Sequence, residues 1–231
     1  MGTLTAVLFD FGGTLDDDGR PWPDRFLPLW REAGAVGQDE ALARAFYDAD
    51  DGLPARERLR GLGLAQTVRL QAHWTGKALL PGNPAAAEAV AERFTLDCRR
   101  ILRRNIPLLQ RLAARYRLGV VSNFYGNLED VLASEGLRGL FGAVADSGAV
   151  GSQKPDARLF LWALERLGTE PAQTLMVGDS KRRDMLGAEA LGMPHAWLAG
   201  EAGGEPCCPG APVLRTLGEL DALLLPAEVG G

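Results

Sequence analysis

Apolar residues recur along the chain in two rhythms. Short, nearly unbroken runs occupy residues 6–11, 118–122, 143–145, 175–177 and 195–198. Runs without polar alternation predict strands buried on both faces, as in a parallel sheet. Between them the apolar positions follow a helical period. In 156–167, Leu159, Phe160, Ala163, Leu164 and Leu167 fall on one stripe, with Asp156 placed to cap the start and Gly168 to stop the end. Residues 106–116 and 128–135 have similar spacing, and Gly136 ends the second. Strand and helix in alternation predict an α/β fold: a doubly wound, Rossmann-like parallel sheet with right-handed crossovers and helices on both faces.

Residues 17–104 break this rhythm. They are poor in β-branched residues and rich in Ala, Leu, Arg and Glu. Helical stretches such as 39–48 and 84–104 are separated by breakers at Gly52-Leu53-Pro54 and Pro81-Gly82-Asn83-Pro84. The expectation is an all-helical domain inserted between the first and second core strands, with the core formed by 1–16 and 105–231. No internal repeat is visible. Residues 200–212 read as a loop, and 213–225 as a closing strand or helix pair.

A chain of 231 residues suits one large domain or one domain with an insert. At 46% hydrophobic and 24% charged residues, it has the means for a packed core. The net charge of −5 argues against a general polyanion-binding surface and so against nucleic acid as a partner. Arg99, Arg100, Arg103 and Arg104 read as one solvated helix face, with an anion site as the lesser reading. Three cysteines, Cys98, Cys207 and Cys208, make no disulfide framework and read as free thiols in a reducing compartment. The two histidines, His73 and His195, give no zinc spacing. A strand begins almost at the N-terminus, which argues against a signal peptide, and no apolar run reaches membrane-spanning length. The expected location is cytoplasmic, without a membrane partner.

Chemistry-bearing residues cluster where core strands should end. Asp10 follows the first, Ser122-Asn123 the second, Lys154-Pro155 lies beyond the third, and Gly178-Asp179-Ser180 follows the fourth with Asp184 close behind. Each has an ordinary reading taken alone: a cap, a turn, a surface lysine. Ligands of open α/β sheets bind outside the carboxyl ends of the strands, so all four in order predict one convergent site.

The strings FDFGGTLD, VVSNF, GSQKPDARLF and VGDSKRRDMLGAEALGM resemble the haloacid dehalogenase (HAD) superfamily, and the helical insert falls where that family places a cap. The resemblance implies a phosphoryl-transfer hydrolase with Asp10 as nucleophile, forming an aspartyl-phosphate. It implies Mg²⁺ held by Asp10, the carbonyl of Gly12, Asp179 and Asp184. Lys154 would neutralise the phosphoryl group and hold Asp10; Ser122 and the backbone near Asn123 would bind phosphoryl oxygens; Thr14 would buttress the loop beside the substrate. The implied substrate is a small phosphorylated metabolite reached past a gated cap, and the expected state is a monomer or weak homodimer.

Gly12 departs from the family pattern, which has an aspartate there as general acid and base. The loss removes a side chain and leaves the backbone oxygen. Proton transfer of that kind is worth about 10²–10⁴ in rate, so a weakened activity is expected, restorable by Gly12→Asp. Asp16, Asp17 and Asp18 read first as an acidic hinge in solvent, and Asp16 as the leading substitute proton carrier. Arg183 stands where the family often has asparagine, and Ala157 where proline is frequent. Three alternatives remain: a metal-free dehalogenase, against which Asp179 and Asp184 count; a phosphonatase with Lys77 of the cap as Schiff base; and a non-catalytic phospholigand-binding domain. Trp22, Trp30, Phe46, Tyr47 and Trp74 read as a helical core or as cap residues facing the substrate.

Overall fold

The computed structural model describes residues 3–206, 208 and 210–225. Six parallel strands, β1 (Ala6–Phe9), β2 (Arg117–Ser122), β3 (Ala143–Asp146), β4 (Thr174–Gly178), β5 (His195–Leu198) and β6 (Val213–Leu214), form one sheet in the order β3-β2-β1-β4-β5-β6. Every residue of β1 is fully buried. Its side chains alternate between two cores: Val7 and Phe9 point to one, Ala6 and Leu8 to the other. This is why the strand reads as a continuous apolar run. The chain leaves β1 first toward β2 and later returns on its other side as β4, so β1 and β4 flank the reversal point of the sheet.

Four helices lie between β1 and β2: α1 (Trp22–Glu32), α2 (Asp39–Arg56), α3 (Leu64–Leu79) and α4 (Pro84–Ala113). Two of them overrun breaks expected from sequence. The α2 helix continues through Gly52-Leu53-Pro54, because Leu42, Phe46, Ala49 and Leu53 form one buried stripe whose packing outweighs local propensity. The α4 helix runs unbroken through Pro107, so residues 104 and 105 lie within one rod that begins in the insert and ends against β2. Its buried stripe continues through Leu102, Asn105, Leu108, Leu109 and Leu112. The insert has its own aromatic centre, where Phe26 and Phe94 stack with ring centroids 3.8 Å apart. The core helices α5 (Leu128–Ser134), α6 (Ser147–Val150), α7 (Ala157–Leu167), α8 (Leu186–Ala190) and α9 (Leu220–Leu224) complete the fold. As expected, Asp156 caps α7 through the Arg158 N–H, and Gly168 ends it in the left-handed conformation. No helix among the described residues is long and apolar enough to cross a membrane.

Candidate active site

The end of β1 holds Asp10, whose N–H donates to the carbonyl of Val177 on β4 at 2.9 Å. The Asp10 carboxylate accepts from the Phe11 N–H at 2.7 Å, which fixes its rotamer at the start of the next turn. That turn pivots on Gly13 at φ +87°, and a Cβ there would lie 2.7 Å from Asp179 Oδ2. Both the backbone conformation and the close approach of Asp179 demand glycine.

Lys154 reaches in from the loop between α6 and α7. Its Nζ lies 2.8 Å from Asp10 Oδ1 and 2.6 Å from Asp184 Oδ1, and it is almost wholly buried. Asn123 holds this loop with two bonds, accepting from the Lys154 N–H at 2.7 Å and donating to its carbonyl at 3.3 Å. Thr14 is fully buried, and its hydroxyl donates to Asp179 Oδ1 at 3.1 Å. Asp184 accepts from the Ser180 N–H at 2.9 Å. Sequence-distant residues are thereby brought to one point. Asp10, Asp179 and Asp184 each offer a carboxylate oxygen, all within 4.8 Å of one another.

The charges do not balance. Burial raises the Asp184 carboxyl to about 6, with Lys154 opposing the shift. Burial, then the charges of Asp10 and Asp184, push Asp179 well above the ordinary carboxylate range. For Lys154, burial pulls downward, but Asp10 and Asp184 outweigh it and hold the ammonium above its usual value. Three carboxylates against one lysine form an oxygen-rich pocket with a deficit of positive charge, a donor set suited to a hard divalent cation.

Asp16, Asp17 and Asp18 do not form a hinge in solvent. Asp16 and Asp17 are buried. Asp16 Oδ1 accepts from the Gly13 N–H at 2.7 Å; Oδ2 accepts from Trp22 Nε1 at 2.8 Å, Arg25 at 2.9 Å and the Cys98 thiol at 3.3 Å. Arg25, itself buried, also pairs with Asp17 at 3.2 Å. Asp18 takes both terminal nitrogens of Arg104 at 2.7 and 2.8 Å. Asp16 is thus an anchor with both oxygens engaged, which removes it as the substitute proton carrier. The sequence hid this because its partners come from α1 and α4. Removing Arg25 would leave buried Asp16 without its cationic partner and Asp17 with Arg20 alone, so Arg25→Met is expected to lower unfolding stability by about 3 kcal/mol in a denaturant titration.

Trp22 also bears on Gly12. A Cβ at Gly12 would meet its Nε1 at 3.2 Å and Cδ1 at 3.3 Å. The indole therefore crowds the space a side chain at position 12 would enter, and its N–H is committed to Asp16.

A cavity of about 720 Å³ opens over the strand ends and is lined by Asp10, Gly12, Ser122, Asn123, Lys154 and Asp179. The insert contributes Trp22, Phe46, Tyr47, Asp50 and Asp51. Trp30 is instead fully buried in the insert's core, and Trp74 is not among the lining residues. Lys77 is exposed, sits 4.0 Å over the Trp74 ring and does not line the cavity, which removes the geometric basis for a Schiff-base role. Asp50 and Tyr125 line the cavity without having been marked by any sequence motif, and Arg182, inside the fourth quoted string, lines it without having been given a role. Of the paired cysteines, Cys208 is buried with its thiol 3.2 Å from His195 Nε2, whereas Cys207 lies outside the described residues.

Residues 4–192 match the model of the haloacid dehalogenase-like hydrolase family, and the chain belongs to that family. It is 34% identical over 217 residues to mouse haloacid dehalogenase-like hydrolase domain-containing protein 3, covering 88% of this chain and 84% of that protein. It is 33% identical to a phosphoserine phosphatase of Thermus thermophilus, over 75% of this chain and 70% of the relative. Among solved structures, a HAD phosphatase from Thermococcus onnurineus is 27% identical with a TM-score of 0.53, covering 96% of this chain and 98% of that one. The protein is thus a HAD-like hydrolase related to phosphatases, with a buried acidic cluster that could bind a metal.

Proposed function

We propose that this protein is a Mg²⁺-dependent phosphatase acting on a small phosphorylated compound through an aspartyl-phosphate on Asp10. The observation that carries the reading is the buried set Asp10–Lys154–Asp184 with Asp179 beside it, where Asp10, Lys154 and Asp179 line the cavity. Asp10, Asp179 and Asp184, with the carbonyl of Gly12, would hold the ion, which supplies positive charge against the phosphoryl dianion. Lys154 orients Asp10 and adds its own charge. Ser122 and the backbone around Asn123 receive the phosphoryl oxygens, and Thr14 positions Asp179. One Asp10 oxygen attacks phosphorus; the bond to the leaving oxygen breaks and its electron pair leaves with that oxygen. Water then attacks the acyl phosphate, releasing phosphate and restoring the carboxylate. The helical insert acts as the cap that shields these steps from bulk water.

No carboxyl at position 12 protonates the leaving group. Compounds whose leaving group is already a stable anion, aryl and acyl phosphates, are therefore favoured over alkyl phosphates. The reading is tested by a panel of aryl, acyl and alkyl phosphates, with a haloacid as control, in Mg²⁺ and in EDTA. Expected is phosphate release that needs Mg²⁺ and favours the aryl and acyl esters. Halide release undiminished in EDTA would make the protein a dehalogenase, and ligand binding without turnover would make it a binding domain.

Restoring the missing acid runs against Trp22, which must yield by a few tenths of an ångström to admit a side chain at position 12. Gly12→Asp alone is expected to destabilise by about 1–3 kcal/mol through overpacking and to leave the alkyl-to-aryl rate ratio unchanged. In a Trp22→Leu background, the same substitution should raise alkyl-phosphate turnover by up to about 10²-fold. Parallel steady-state rates for both ester classes check this; a full gain from Gly12→Asp alone would show that the indole is no obstacle.

A further inference from the structure

The carboxyls that line the cavity come from two sources. Asp10 and Asp179 belong to the cluster around Lys154. Asp50 and Asp51 come from α2 in the insert, and the chemistry above uses neither. Asp51 is exposed. Asp50 is half-buried, and its Oδ1 accepts a hydrogen bond from the hydroxyl of Tyr125. Tyr125 stands two residues beyond Asn123, so this contact joins the insert to the loop that leaves β2. Oδ2 of Asp50 has no partner among the described residues.

Only one oxygen of this cavity-lining carboxylate is engaged, by a neutral phenol, and the other is open to a donor. Burial pushes the Asp50 carboxyl up to about 6; Tyr125 opposes the shift, Asp51 adds to it, and Arg183 opposes it from a distance. Arg182 and Arg183 line the cavity but are exposed, and neither forms an ion pair with Asp50 among the described residues. Phe46 and Tyr47, one turn earlier on α2, line the same wall. That wall presents aromatic surface and, in Asp50, an acceptor held in place by Tyr125.

Resting on the phosphatase reading, we propose that Asp50 is a specificity-determining residue whose free carboxylate oxygen accepts a hydrogen bond from the leaving group of the phosphoryl substrate, and that this leaving group carries a hydroxyl or ammonium donor. Tyr125 is the positioning residue that holds Asp50 in place. The roles divide cleanly: the strand ends read the phosphoryl group, and α2 reads what is attached to it.

The test is calorimetric binding of aminoethyl, hydroxyethyl and ethyl phosphate to the full-length Mg²⁺-loaded protein, with nitrophenyl phosphate turnover measured separately. Wild type is expected to bind at least one donor-bearing ester about tenfold or more tightly than ethyl phosphate, the scale of a hydrogen bond to a charged group. Asp50→Asn keeps an acceptor but loses the charge, so it should erase an ammonium preference and retain much of a hydroxyl preference. Asp50→Leu should erase both, and Tyr125→Phe should weaken them. In all three variants ethyl phosphate affinity and the KM for nitrophenyl phosphate should stay within about twofold of wild type. Equal binding of the three esters by wild type overturns the proposal. So does an Asp50→Leu protein that loses affinity for ethyl phosphate as much as for the others, which would make Asp50 a structural latch. Donor-selective binding without any nitrophenyl phosphate turnover would leave Asp50 in its role and overturn the phosphatase reading alone.

Discussion

Asp10→Asn is expected to abolish phosphoryl turnover, by at least about 10⁴-fold, the scale on which loss of a nucleophile is felt, while the protein becomes no less stable. The two halves of this result have one cause. Asparagine matches the shape of Asp10, and its oxygen can still accept from the Phe11 N–H, but the amide is no nucleophile toward phosphorus. It also removes one of three carboxylates crowded within 4.8 Å. Lys154 keeps its shorter partner, Asp184, at 2.6 Å. In metal-free protein the melting temperature should therefore hold or rise. A large fall in stability would mean that Asp10 serves mainly as a structural partner of Lys154.

Lys154→Met should do the opposite, losing turnover and stability together. The ammonium is buried between Asp10 and Asp184, so its removal leaves both without a counter-charge, a change that costs about 3–5 kcal/mol when one partner of a buried pair is lost. The pH dependence has a definite sign. A carboxyl whose folded pKa is raised is stabilising to lose as a charge, so its cost appears as pH rises above the unfolded value of about 4. Asp184 already stands at about 6 with the lysine present. Without it, the deficit relative to wild type should grow above pH 4 and shrink on acidification. Denaturant titrations of both proteins between pH 4 and 8 check this, and Mg²⁺ should recover part of the deficit at neutral pH by entering the same carboxylate cluster. A deficit independent of pH would mean that the lysine stem is felt for its packing.

The core was legible because its signals are local. Unbroken apolar runs marked five of the six strands, and polar residues just beyond them marked Asp10, Ser122, Asn123, Lys154 and Asp179. Helix limits in the insert were less so: Pro54 and Pro107 are tolerated where long-range packing of α2 and α4 overrides a local breaker. Asp16 and Asp17 were misread for a related reason. A run of three aspartates looks solvated until Arg25 and Cys98, a turn and many residues away, are placed on top of it. Trp22 against Gly12 and Tyr125 against Asp50 are contacts between the insert and core segments that no spacing within either one encodes. The residues nearest the sheet are thus set by pattern, whereas those the insert brings to the cavity are set by how the four helices settle on it.

The most direct test of the central claim is to find the phosphoryl group on Asp10. Wild-type protein is mixed with an acyl or aryl phosphate in Mg²⁺, quenched in acid within the first turnover, and digested for mass spectrometry. The expected result is one phosphoryl adduct on the peptide carrying Asp10, present with Mg²⁺, absent in EDTA and absent in Asp10→Asn, and abundant because no base at position 12 speeds its hydrolysis. Phosphate release with no adduct on that peptide at any quench time, or with the adduct on another residue, would contradict it.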